Sequence, residues 1–350
     1  HLRPNEIMGG TGLVEGGTFL AILGGQLLAG FIPPWEAGVV ATALAALGLA
    51  MSFAVPPAPP SGTKGKIDFN IFRGTWSVLK TAKTGRGVWL AILGISWFFT
   101  AGAVLTSEFA PLVAGQFSGN QHVVNLLLAV FSISIALGSL AVNRLLNGEV
   151  SARYVPITAV FMAVGLIDLW LSSRAFVPQV TGATVSQFLA NPGSWRVLAD
   201  LVVIAFAGGM FIVPLYAILQ TWTAPEERSQ VVAANNIVNA AVTVVVVAIV
   251  SFMLASGVDV PGIIGALGFA TLTVALISIW LLPETVFKSV VRGLLKAFYR
   301  VELIGAENMP KEGEPAVVVV NHLSLLDGLL LGAFLPGKPT FAINTHISQA

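Results

Sequence analysis

Cysteine is absent from the 350 residues, which excludes disulfides and thiolate metal sites. Charge is scarce too: 10% of residues are Asp, Glu, Lys or Arg, against about a quarter in an ordinary soluble domain. Charge this sparse cannot solvate a globular surface of this size. The 4 histidines are widely scattered and offer no metal cluster, so neither a metal nor a bound cofactor is expected in this chain. A formal net charge of +1 gives no reason to expect a nucleic-acid partner. What is abundant is apolar sequence, 55% of the chain, gathered in long runs rather than short periodic ones.

Runs long enough to cross a bilayer cover 9–31, 36–55, 88–114, 122–146, 154–172, 197–222, 230–256 and 260–282. Each is near the roughly 20 residues that a hydrocarbon core demands. Backbone groups in lipid must be bonded internally, and the alternation that marks a membrane barrel is missing, so these are eight helices. The cations before Pro283 set their orientation. Arg3, the group from Lys64 to Arg86, Arg144, Arg153 and Arg228 fall on one side; only Arg174 and Arg196 fall on the other. The first side is therefore cytoplasmic. Residues 55–87 and 283–350 are expected there.

The link 55–87 opens with the semi-rigid run Val55-Pro56-Pro57-Ala58-Pro59-Pro60 and continues basic and polar. Two helices precede it and six follow. That division fits a transporter of two six-helix halves whose first four helices lie upstream of His1. The chain is accordingly expected to be an internal fragment. An internal repeat agrees: Pro4-Asn5-Glu6 leads into a span holding Glu15, and Pro225-Glu226-Glu227-Arg228 leads into one holding Asn235, Asn236 and Asn239. Gly138-Ser139-Leu140-Ala141-Val142-Asn143-Arg144 resembles the cytoplasmic Gly-x4-Asp-Arg motif of the major facilitator superfamily, with Asn143 in place of the usual Asp. The resemblance implies an all-α polytopic fold over 1–283, about eight helices of an expected twelve. It also gives Gly138, Asn143 and Arg144 a conformational role.

A charge near the bilayer centre costs about 2.5–3.5 kcal/mol even on the gentler scales, so Glu15 and Glu108 stand out. Either they bind a cationic headgroup or carry protons, or they make structural hydrogen bonds between helices or reach the interface. Asn235, Asn236 and Asn239 recur about one turn apart, as a substrate-binding stripe or as glue between helices. Asp168 and Asp200 lie nearer helix ends and read as interfacial.

Beyond Pro283 the pattern changes. Over 284–300, Lys288, Arg292, Lys296 and Arg300 recur every four residues, with Phe287, Val290, Val291, Leu294, Leu295 and Phe298 opposite. This basic amphipathic helix suits the anionic cytoplasmic leaflet, the other reading being a helix packed on the next domain. From 301 a new domain opens. Its valine run 316–320 reads as a strand, ending in Asn321-His322-Leu323-Ser324-Leu325-Leu326-Asp327-Gly328. Ser324 is placed to cap the next helix. A histidine at a strand end can meet an aspartate one helical turn on; Asp327 would orient the imidazole, and His322 would then be a general base for a hydroxyl.

That context, with Phe334-Leu335-Pro336-Gly337-Lys338-Pro339-Thr340-Phe341-Ala342-Ile343 and Ile347-Ser348-Gln349, resembles the α/β glycerolipid acyltransferases. It is closest in pattern to the bacterial 2-acylglycerophosphoethanolamine acyltransferases, which many bacteria fuse behind a lysophospholipid transporter of the major facilitator superfamily. The resemblance implies inward movement of lysophospholipid followed by reacylation of lysophosphatidylethanolamine in a bacterial inner membrane. Membrane lipids would be the partners and an acyl carrier protein or acyl-CoA thioester the donor. The acyltransferase would be truncated in this chain and inactive as it stands. The alternatives are a major facilitator exporter of drugs or metabolites with an acyltransferase-like tail, or an acyltransferase anchored by helices that do not transport.

Overall fold

The computed structural model describes residues 6–29, 32–55, 70–146, 148–302, 304–305, 308, 317–321, 324 and 326–335. These fall into two units, 1–276 and 277–350.

The first unit holds the membrane helices: α1 (Ile7–Ala29), α2 (Pro34–Ser52), α4 (Arg86–Ser107), α6 (Gln121–Leu146), α7 (Val155–Ala175), α9 (Pro192–Thr221), α10 (Arg228–Ala255) and most of α11 (Val260–Leu281). Among the described residues, eight helices are long and apolar enough to cross a membrane. The protein is a multi-pass membrane protein. Three short elements were not foreseen. In the 55–87 link, α3 (Ile71–Thr84) is capped by Asn70, whose side chain accepts from Arg73 N at 3.1 Å. Past α4, the helix breaks at Glu108, resumes as α5 (Phe109–Leu112) and widens into a π turn, Val113–Phe117. Pro111 causes the break, since it has no N–H for the Ser107 carbonyl. Between α7 and α9, α8 (Val185–Ala190) opens with a capping box between Thr184 and Gln187.

The hub is α9, which packs on α6, α7, α4 and α1. Its contact with α6 is backbone against backbone. A Cβ on Gly138 would sit 2.0 Å from Phe206 O, and one on Gly209 would sit 2.2 Å from Ile135 O. In lipid there is little hydrophobic drive between helices, so such close approach through small residues supplies the attraction. The crossing of α1 over α6 works likewise: a Cβ on Gly12 would meet Ser139 O at 2.8 Å. By contrast α10 buries only Val231, Ala234 and Asn235 and leans on α4 and α3. Phe117, Phe176 and Phe188 form a ring cluster, with centroids 4.7–5.8 Å apart.

The second unit contains α12 (Pro283–Phe298) and α13 (Leu326–Phe334), packed on each other. The strand expected over 316–320 is corrected: residues 317–320 form no strand, and Val317 and Val319 are over 90% exposed. A strand exists through its ladder partner, and no described segment pairs with this one.

Candidate functional site

Glu15 lies on α1 one turn after Thr11, and both are buried. It stands ~12 Å from the start of α1 at 1.5 Å per residue. Its carboxylate has no ion pair or hydrogen-bond partner among the described residues. Around it the helices bring aromatic and amide groups. Tyr216 of α9 lies beside Asn235 of α10 and within the electrostatic reach of Glu15. A chain of rings runs from Phe19, one turn past Glu15, through Phe98 and Phe99 of α4 to Tyr216, with centroids 6.0, 5.4 and 6.3 Å apart. Thr100 and Thr243 tie α4 to α10 by a hydroxyl contact of 2.9 Å.

Asn235 is 3% exposed, and its Oδ1 and that of Asn239 are buried without a hydrogen-bond partner. Asn236 departs from the expected stripe. It is exposed, because one residue turns a helix by about 100° while four residues turn it back to within about 40°. The polar face of α10 is therefore Asn235 with Asn239. A carboxylate, two open amide oxygens and aromatic faces are acceptors for a cation. Their chemistry suits a protonated amine.

Glu108 is buried as well, but at the break between α4 and α5. It stands ~33 Å along its helix from Arg86, at the far end of α4, and no described contact joins it to Glu15. Of the motif residues, Gly138 is the α6–α9 contact already described. The amide nitrogen of Asn143 would lie 3.3 Å from a Cβ on Gly9, and the exposed Arg144 has no ion-pair partner among the described residues.

Sequence reasoning missed a polar cluster between α7 and α9. Asp168 is paired by both arms of Arg196, Nε at 3.1 Å. Asp200, expected at the interface, is buried; Ser172 donates to it at 2.7 Å, and Asp168 is its other neighbour. The signal was present. Asp168 and Ser172 are four apart on one helix, Arg196 and Asp200 four apart on another, so each pair shares a face. The other outer cation, Arg174, pairs with Asp259 at 3.0 Å over the Trp170 ring.

In the second unit the cationic stripe of α12 divides. Lys288 Nζ donates to Leu335 O at 3.1 Å, and Arg292 donates to Ala333 O with its guanidinium 5.5 Å from the Phe334 ring. These carbonyls close α13, where a helix has orphan acceptors and a negative dipole end. The expectation that all four cations face lipid phosphate is corrected for Lys288 and Arg292. Arg300 is exposed, and the Lys296 side chain lies outside the described residues. Phe287, Val290, Leu294 and Phe298 keep the apolar side exposed. Ser324 does cap α13: its hydroxyl accepts from Leu326 N at 3.2 Å, while Asp327 accepts from Ser324 N at 2.8 Å. Asp327 thus has a reciprocal capping role. His322 lies outside the described residues.

Over 289 residues the chain is 27% identical to the lysophospholipid transporter LplT of Salmonella arizonae, covering 79% of this chain and 66% of that protein. A match that long must run through the membrane unit. The same transporter of Photorhabdus laumondii is 24% identical over 227 residues, 62% of this chain and 50% of that protein. This chain is homologous to the lysophospholipid transporters. It spans between half and two thirds of the length of those relatives. Residues 300–350 match the family described as Acyltransferase. No solved structure matches. The acyltransferase match begins just after α12 ends, so the homologue of a transporter and the acyltransferase-type segment are joined through that amphipathic helix.

Proposed function

We propose that the protein moves lysophospholipid from the outer to the inner leaflet of a bacterial inner membrane and reacylates it, with lysophosphatidylethanolamine as substrate. The observation that carries this reading is one chain that joins a lysophospholipid-transporter homologue to an acyltransferase-type segment. Fusion is useful when the product of one half is the substrate of the other. Glu15 supports the headgroup: a buried carboxylate within electrostatic reach of Tyr216, with Phe19 one turn on, suits an ethanolamine ammonium. Acylation then takes place at the free glycerol hydroxyl. His322 removes its proton, Asp327 orients the imidazole, and an acyl carrier protein or acyl-CoA thioester supplies the chain.

The test presents labelled lysophosphatidylethanolamine from outside to cells making the full-length protein and scores uptake and diacyl product separately. His322→Ala is expected to lower product formation by ~10²–10⁴-fold, the usual worth of a general base, while uptake persists. Unchanged product would end the catalytic assignment. Loss of both activities at normal protein level would show that the two halves are obligately coupled, contrary to the division proposed.

A further inference from the structure

Neither transport nor acylation has a use for α3, yet its two sides differ sharply. Ala82 is buried in the core, and Val78 and Leu79 pack against that core. With this side α3 rests on α4 and α10. On the other side Phe72 and Trp76, one turn apart, are 89% and 69% exposed. Phe72, Lys83, Trp76, Lys80 and Arg73 follow one another within about 100° of the helix circumference. All five are exposed, and residues 71–84 hold these three cations and no acid. The level of α3 is set by its neighbours. Only Gly85 separates it from α4, and Lys83 Nζ stands 5.2 Å from the centre of the Trp89 ring, which pins the end of α3 to the start of α4. The Thr100–Thr243 contact lies ~21 Å along α4 from Arg86 and ~22 Å along α10 from Arg228. Three spans, α6, α7 and α9, come between them in the chain, so α4 and α10 run the same way and begin level. The helix α3 therefore lies where both spans begin.

We infer that α3 lies on the membrane surface and binds anionic phospholipid headgroups. Phe72 and Trp76 enter the boundary between headgroups and acyl chains, where aromatic side chains collect. Lys80 and Arg73, next round the helix, stand at the phosphates, and their charge complements an anionic leaflet. The order of side chains is that of a helix lying in the interface: apolar on one edge, basic beside it, and Ser77 beyond on the side of water. Because α4 already holds α3 at this level, the contact is intramolecular in effect and needs little intrinsic affinity. It reaches further than α3 itself. Few side chains of α10 are buried, and α3 is one of the two helices it leans on. Lipid held by α3 therefore steadies α10, the helix that carries Asn235 and Asn239.

The test uses the full-length protein, freed of any cysteine outside these 350 residues and reconstituted in vesicles. Trp76→Cys and Ser77→Cys each carry a nitroxide, an apolar label that preserves the apolar character of position 76. Collisions with oxygen dissolved in lipid are compared with collisions with an aqueous nickel chelate. In phosphatidylglycerol vesicles the oxygen-to-nickel ratio is expected to be at least about threefold higher at 76 than at 77, as insertion by roughly 5–10 Å requires. In phosphatidylcholine vesicles the contrast should fall. In phosphatidylglycerol, Lys80→Gln should shift the label at 76 from lipid to water about fivefold, the usual worth of one cation at an anionic surface, while Lys80→Arg leaves it in place. Equal ratios at 76 and 77 would put this face of α3 in water, and a label at 76 shielded from both reagents would mean that protein covers it. Either result overturns the inference. A contrast that survives both phosphatidylcholine and Lys80→Gln would overturn the anionic headgroup as the partner.

Discussion

Glu15 is the residue on which the membrane chemistry turns. A carboxylate with no partner among the described residues, within electrostatic reach of Tyr216, is poorly explained as helix glue, because glue consists of bonds that are made. Glu15→Gln keeps shape and removes charge. It is expected to slow inward movement of lysophosphatidylethanolamine at least tenfold while protein level changes less than twofold, as a lost ionic contact of ~1.4 kcal/mol or more requires. Normal uptake with lowered abundance would make the residue structural. Glu15 was legible in the sequence because an acid in an apolar run is costly wherever it points. Asn235 and Asn236 were not separable by the same reasoning. Which of two neighbours faces inward depends on the rotation of α10 against α4, and neither helix has a strongly one-sided pattern. The pair Asp168–Arg196 was hidden for a related reason: its members belong to different helices 28 positions apart, and only the packing of α7 on α9 joins them.

Among the elements, the α6–α9 contact separates packing from motif. Gly138 is the first residue of the Gly-x4-Asn-Arg segment, which is helical within α6, and its place against the Phe206 carbonyl leaves no room for any side chain. Gly138→Ala must therefore push the helices apart, an overpacking strain of ~1–3 kcal/mol. Gly17→Ala, at a position with nothing within 4 Å, is the control. Thermal unfolding followed by tryptophan fluorescence in detergent is expected to shift down for the first and stay level or rise for the second. Equal behaviour would mean that the two helices do not meet at Gly138. Long helices were readable as elements because their apolar runs exceed what any soluble helix needs. The amphipathic α3 was passed over because its basic, polar composition resembles a linker; its apolar side chains, Phe72 and Trp76 among them, recur at helical spacing but over only 14 residues. The valine run 317–320 erred in the other direction, since β propensity describes a fit to neighbouring strands that no described segment provides.

At the scale of the whole molecule, everything proposed for the acyltransferase segment depends on the side of the membrane it occupies. For the two halves to share a substrate, the acyltransferase-type segment must face the cytoplasm. The uneven distribution of cations argues for this: of the Lys and Arg before Pro283, only Arg174 and Arg196 are expected on the outer side. The absence of native cysteine makes the orientation directly measurable, because one introduced thiol is then the only one in the chain. Ser77→Cys on α3 and Thr181→Cys in the loop before α8 both replace exposed residues. In intact cells stripped of their outer membrane, an impermeant maleimide is expected to label Thr181→Cys within minutes and to reach Ser77→Cys only after the inner membrane is opened. Labelling of both from outside, or the reverse order, would put the acyltransferase segment across the membrane from its acyl donor and defeat the coupled reading at its root.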